Sequence, residues 1–137
     1  MGPYARIALL CEGVTFDPDG CMNIIRIISR IIVPSTVALP TNCMRKFVFG
    51  IVPNGLLVGE TPLTIQVERP SKQRNTVTIP FNLPQQSATG YTMAIDLNLE
   101  IVEFGLHWIN LLFADLLLTR IPLSVLSEQE IRMASVQ

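Results

Sequence analysis

The sequence of 137 residues has little charge: Asp, Glu, Lys and Arg make up 15% of it and hydrophobic residues 49%. Ordinary soluble domains carry about 25% charged residues. Ten Lys and Arg nearly balance eleven Asp and Glu, which leaves a net charge of −1. Without a global positive field to hold a polyanion, a general nucleic-acid binder is not expected. The length and composition predict one domain, residues 1–137, with part of its surface covered by a partner.

Long apolar runs that suit a membrane helix are missing as well. The uncharged stretches 31–44 and 47–59 are shorter than the roughly 20 residues that a spanning helix needs, and the stretch 75–95 is interrupted by Pro80 and Pro84. The apolar run 7–10 is too short for the core of a signal peptide. Three cysteines form neither a close pair nor an even disulfide set. We therefore expect a cytoplasmic protein without a membrane span.

Residues for catalysis and metal binding are scarce. His107 is the one histidine and stands in the apolar run 106–113, where a hydrogen-bonded structural role is expected. Cys11, Cys21, Cys43 and His107 have the ligand types of a zinc site, but no two of them are closer than ten residues. Nucleotide fingerprints and the nucleophile elbow are missing from the sequence. We expect no enzyme, cofactor or metal site, and an enzyme that uses Cys11 or His107 is the weaker alternative.

Alternation of apolar and polar residues with a period of two dominates the sequence, which is typical of strands. It is clearest in 91–101, and more apolar runs lie at 7–14, 22–33, 46–52, 63–69, 77–83, 106–113 and 116–125. Turn sequences separate these runs, at 17–20, 53–55, 70–75, 84–90 and 114–115. Ser127 and Glu130 form a capping-box pattern, which predicts at most a short C-terminal helix. The expected fold is an all-β antiparallel sandwich of about seven or eight strands.

Both ends of the chain carry motifs of turn and core residues. The first part contains Leu9-Leu-Cys-Glu12, Phe16-Asp-Pro-Asp-Gly20 and Met22-Asn-Ile-Ile25, followed by Pro34. The last part contains Gly90-Tyr91, Gly105 and the closing segment Leu118-Thr-Arg-Ile-Pro-Leu-Ser-Val125. In these motifs the chain resembles an uncharacterised bacterial family of small β-domains. The resemblance implies an immunoglobulin-like or C2-like sandwich and brings no catalytic residue or ligand with it.

Two loops concentrate charge. Asp17 and Asp19 offer carboxylates to Ca²⁺ in the manner of C2-like modules, with Asp115 as a candidate third ligand. The sequence Asp-Pro-Asp-Gly is equally a favoured turn. The loop 69–75 holds three of the ten positive charges, either as a solvated hairpin tip or as a contact for a partner's acidic patch. A loop-based module for Ca²⁺ or anionic lipid is therefore the alternative function.

The strongest functional signal is apolar, because a strand with one wet face should be polar at every second position. The runs around residue 55 and residue 113 break this rule, which favours either central strands or a contact with another protein. The candidate interaction residues are Val48, Phe49, Ile51, Leu56, Leu57, Trp108, Leu112, Phe113 and Leu117. The expected function is a non-enzymatic interaction or assembly module, which self-associates as a homo-oligomer or docks on a protein partner through strand faces or edges.

Overall fold

A computed structural model of the chain describes residues 2–52, 59–83 and 90–136. In these ranges the chain forms nine strands and a C-terminal helix: β1 (Tyr4–Phe16), β2 (Met22–Ile28), β3 (Arg30–Val33), β4 (Thr41–Val52), β5 (Gly59–Glu68), β6 (Arg74–Leu83), β7 (Tyr91–Ile101), β8 (Gly105–Phe113), β9 (Leu116–Ser127) and α1 (Glu128–Val136). One sheet has the order β2-β1-β4-β7, and the other has the order β3-β9-β8-β5-β6. Within the described ranges, no helix has the length and apolar character needed to cross a membrane.

The two sheets enclose one hydrophobic core. Phe47, Phe49 and Ile51 of β4 contribute to it from the four-stranded sheet, and Ile109 and Leu111 of β8 contribute from the five-stranded sheet. Successive side chains of a strand point to opposite faces, so each strand gives every second residue to this core. The remaining residues form the two outer faces of the molecule. The expected all-β sandwich is confirmed, and its described pairings are antiparallel except for β3 with β9.

The strand at 91–101 follows its predicted pattern. Leu97, Leu99 and Ile101 are buried, whereas Asp96 and Asn98 are exposed. The run 22–33, expected as one strand, is instead divided at Ser29 into β2 and β3. The reason is that the chain passes from one sheet to the other here, and the Ser29 carbonyl accepts a hydrogen bond from the Ser124 N–H at 3.1 Å.

The turns and the helix cap follow local chemistry. The Gly20 N–H donates to the Asp17 carbonyl at 2.9 Å, which closes the turn before β2. Ala114 and Asp115 both have positive φ, as a two-residue hairpin between β8 and β9 requires. The Ser127 hydroxyl accepts the Glu130 N–H at 3.1 Å, so the predicted cap of the C-terminal helix is confirmed. The predicted turn at 53–55 and most of the turn at 84–90 lie outside the described residues.

Candidate interaction face

Four of the candidate interaction residues lie in the interior of the domain, which corrects the expectation for them. Val48, Phe49, Ile51 and Phe113 are each at most 1% exposed. Phe49, Ile51 and Phe113 belong to the core between the sheets. Val48 points to the opposite face of β4 and is buried there. Their apolar character is therefore accounted for by packing inside this chain, and Leu56 and Leu57 lie outside the described residues.

The other three candidates share one surface. Trp108 and Leu112 alternate along β8 with the core residues Ile109 and Leu111, so they lie on the outer face of the five-stranded sheet. Leu117 of β9 is the cross-strand partner of Leu112 and lies on the same face. Pairing thus places Leu117 beside Leu112, and Trp108 lies on the same face, four residues along β8 from Leu112.

A depression of about 520 Å³ lies on this outer face, over β5, β6, β8 and β9. Most of its residues are cross-strand neighbours. They fall into three rows across the sheet: Glu68–Arg74, Gln66–Asn110–Arg120 and Leu112–Leu117. Trp108 continues the first row beside Glu68, next to the depression. Lys72, from the loop between β5 and β6, also lines the depression. The site is therefore built by strand register, and a single loop residue is added to it.

Glu68 is the centre of the polar part of the depression. Its side chain is only 8% exposed, and its two oxygens accept from different arginines. Arg74 Nε and Nη2 each lie 3.0 Å from Oε1, and Arg120 Nη2 lies 3.1 Å from Oε2. A carboxylate this far from water needs such charged partners. The ion pairs hold both guanidinium groups at the edge of the depression.

Arg120 is held by two further contacts. Its Nε donates to Asn110 Oδ1 at 2.9 Å, and its guanidinium carbon lies 4.5 Å from the centre of the Trp108 ring. A cation over an aromatic face is attracted by the ring's negative potential. Arg120 and Trp108 therefore form a cation–π pair. Trp108 was a candidate from its apolar run, whereas Arg120 was not among the predicted site residues.

Three residues of this network, Glu68, Asn110 and Arg120, were missed by the sequence analysis. A signal for them is present in the strands, since Asn110 stands between the buried Ile109 and Leu111, and Glu68 and Arg120 belong to strands in which every second residue is apolar. Such alternation identifies the outer face, but it does not show which polar residues become neighbours. That information lies in the register of β5, β8 and β9.

The turn proposed for Ca²⁺ uses its carboxylates internally. Asp19 Oδ1 accepts the Cys21 N–H at 3.0 Å, and this hydrogen bond lowers the pKa of Asp19. Asp17 Oδ1 accepts from Asn23 Nδ2 at 2.9 Å. Within the described part of the chain, no three His, Cys, Asp or Glu residues are grouped to hold a metal ion. Calcium binding by this turn stays a prediction.

His107 and the cysteines are dispersed. His107 is buried, and its Nδ1 lies 3.1 Å from the Gly105 carbonyl oxygen, which can only accept, so Nδ1 carries the proton. Cys11 is buried, Cys43 is half-buried and Cys21 is exposed. Burial raises the pKa of the Cys11 thiol. The four residues considered for zinc are not assembled into a ligand group in the described structure.

The fold and the depression define this protein as a β-sandwich with a charged, apolar-walled recess on one outer face. The chain belongs to DUF6941, a family of unknown function, whose model matches residues 6–126. The expected resemblance to an uncharacterised family is thereby confirmed. No curated protein matches the chain.

Two solved structures are similar to the chain at low sequence identity. One is an immunoglobulin-like protein from Pseudomonas aeruginosa, with 22% identity, a TM-score of 0.42, and coverage of 91% of this chain and 97% of that chain. The other is the Pseudomonas fluorescens alkylpurine DNA glycosylase AlkC bound to DNA containing an abasic site analog, with 9% identity and a TM-score of 0.49. The match covers 91% of this chain but spans only 30% of the glycosylase chain.

Proposed function

We propose that this chain is a non-enzymatic interaction module that binds a protein partner through the outer face of β5, β6, β8 and β9. The observation that carries the proposal is that Leu112 and Leu117 line one depression, and that Trp108 lies on the same face against Arg120, which lines it too. Leu117 is 49% exposed, and its cross-strand partner Leu112 lies beside it on the same face. An exposed apolar patch of this kind is typical of a surface that meets another protein.

The composition of this face supports the proposal. Trp and Arg are the residue types that most often dominate binding energy in protein interfaces, and here Arg120 stacks on Trp108. The leucines offer apolar area whose removal from water stabilises a complex by about 25 cal/mol per Å² before the costs of association. The charged residues beside them provide specificity.

A different protein is the favoured partner for this face. A two-fold dimer through it would place two copies of the same patch against each other. The depression is lined by three cations, Lys72, Arg74 and Arg120, and one carboxylate, Glu68, which gives a formal charge of +2. Two such patches repel each other in close contact.

Site-specific photo-crosslinking tests the proposal in cells that make the protein. We expect p-benzoylphenylalanine at position 117 to form an adduct with one defined protein, which mass spectrometry identifies. Binding of that protein to the purified chain should then weaken at least about tenfold in Leu117→Glu, because a carboxylate would be buried in an apolar contact. The matched control is Phe16→Glu, at a 62% exposed phenylalanine of β1 in the other sheet.

The proposal is wrong if Phe16→Glu weakens binding of the identified protein as much as Leu117→Glu does. It is also wrong if neither substitution weakens binding. Thermal unfolding followed by circular dichroism verifies that both variants keep the fold.

A further inference from the structure

We infer that the depression recognises a carboxylate side chain of the partner, presented next to an apolar side chain. This inference rests on the proposed function and names the chemistry of the partner. The polar half of the depression, with Arg74 and Arg120, would receive the carboxylate. The apolar half, with Leu112 and Leu117, would receive the neighbouring side chain.

The charge of the depression favours an anion. Its positive charge is local, since the whole chain has a net charge of −1. A local positive site in a nearly neutral protein acts over a few ångströms, because salt screens exposed charges beyond about 8 Å under physiological conditions. It therefore suits one acidic group held in contact and does not suit a long polyanion, whose binding depends on many phosphate contacts.

The geometry of the two arginines favours a carboxylate. Glu68 engages Nε and Nη2 of Arg74 and Nη2 of Arg120, while Nη1 of each has no hydrogen-bond partner among the described residues. The two side chains remain 57% and 41% exposed. Guanidinium N–H groups form short, directional hydrogen bonds to carboxylate oxygens.

Glu68 and Trp108 also hold the two arginine side chains in place before a partner binds. The carboxylate of Glu68 and the ring of Trp108 together restrain Arg120, and Glu68 restrains Arg74. A long side chain loses about 0.5–1.5 kcal/mol of conformational freedom when an interface immobilises it, and that loss is smaller if it is already ordered. The buried glutamate thus serves to orient two cations toward a second carboxylate.

The apolar wall favours a protein segment as the source of that carboxylate. Leu112 and Leu117 are neighbours across β8 and β9, and they lie next to the row that contains Arg120. A free phosphate has no group to place on these leucines. An acidic residue beside an aliphatic one fills both halves of the depression.

The intrinsic fluorescence of the protein provides the test, because Trp108 is its single tryptophan and lies against Arg120. The probe is the peptide acetyl-Leu-Glu-Leu-Glu-Leu-amide, compared with the same peptide carrying Gln for Glu and with inorganic phosphate. We expect a saturable change with the acidic peptide and at least about tenfold weaker binding of the Gln peptide and of phosphate.

Substitutions locate the binding. Arg74→Gln is the main variant because it leaves the Arg120–Trp108 contact in place. It should weaken binding of the acidic peptide at least about threefold. Arg26→Gln is the matched control, since Arg26 is ion-paired with Glu12 on the other sheet and should not affect binding. Calorimetry repeats the titrations without the fluorescent reporter.

Equal binding of the Glu and Gln peptides, or no saturation by the acidic peptide up to about 10 mM, overturns the inference. Phosphate that binds more tightly than the acidic peptide also overturns it. These outcomes can be distinguished from failure of the proposed function. If the identified partner no longer binds Leu117→Glu but binds Arg74→Gln as well as wild type, the outer face is still the interaction surface. The inference that it recognises a carboxylate is then wrong.

Discussion

Asp19 shows how hydrogen bonds to a carboxylate make the stability of a fold depend on pH. The backbone N–H of Cys21 donates to its carboxylate and lowers the pKa of Asp19. Its stabilising contribution is therefore present above the unfolded pKa of about 3.9 and is lost as the pH falls through the folded pKa. Asp19→Asn keeps an accepting oxygen but does not titrate. We expect the unfolding free energy of wild type to fall more than that of Asp19→Asn between about pH 5 and pH 2.

Urea unfolding at a series of pH values measures this difference. Asp17→Asn is the control, because it lies in the same turn and its oxygen accepts from the side chain of Asn23 instead of the backbone. Parallel curves for wild type and Asp19→Asn would contradict the assigned role of the Cys21 hydrogen bond.

The candidate site could be predicted only in part from residue types. Trp108, Leu112 and Leu117 were identified because they interrupt the expected polar alternation, and they do share a surface. Phe49 and Phe113 gave the same signal, yet both are buried between the sheets. An apolar residue in a strand is drawn out of water equally by its own core and by a partner, so its type does not distinguish the two.

Glycines with positive φ lie in the connections between strands. Comparing alanine substitutions at two of them distinguishes the cost of a strained backbone from the cost of a steric clash. Gly20 has φ +88° and no atom within 4 Å of an added Cβ. Gly90 has φ +79°, and an added Cβ would lie 2.3 Å from the backbone oxygen of Ile51 in β4. Alanine should therefore cost about 1–2 kcal/mol at Gly20, from its left-handed backbone alone. At Gly90 it should cost about 1–3 kcal/mol more, since β4 must also shift.

Chemical denaturation of both variants checks this ordering. Equal losses at the two positions would mean that the approach of Gly90 to β4 adds nothing to the cost of its backbone conformation. A greater loss in Gly20→Ala would contradict the packing of the start of β7 against β4.

The strands were predicted better than their assignment to sheets. The alternation in 91–101 matched β7 because one face of that strand is buried and the other is exposed to solvent. The run 22–33 contains no Pro or Gly, so nothing local marked the point where β2 ends and β3 begins in the other sheet. That division follows from the pairing of β3 with β9, a contact across about ninety residues of sequence, and period-two alternation carries no information on such distant partners.

At the scale of the whole molecule, low charge leaves apolar residues on both outer faces. On the four-stranded sheet, Ile27 lies beside Cys11, Ile25 beside Gly13, and Met44 is on the same face of β4. All three of the larger side chains are exposed. The strip is separated from the depression by the thickness of the sandwich, so the two surfaces can act independently.

Self-association is expected through this strip, because an exposed apolar strand face is stabilised when a second copy covers it. Light scattering at about 100 μM should give a mass above the monomer's 15.2 kDa, since a self-interface of micromolar affinity is then nearly saturated. Ile27→Glu should restore the monomer mass, because its carboxylate would lose water in the contact. Leu117→Glu, on the opposite face, should leave the larger species unchanged. A wild-type mass of 15.2 kDa at that concentration would exclude self-association of micromolar affinity. Binding of a different protein would then be the remaining hypothesis for the exposed apolar residues.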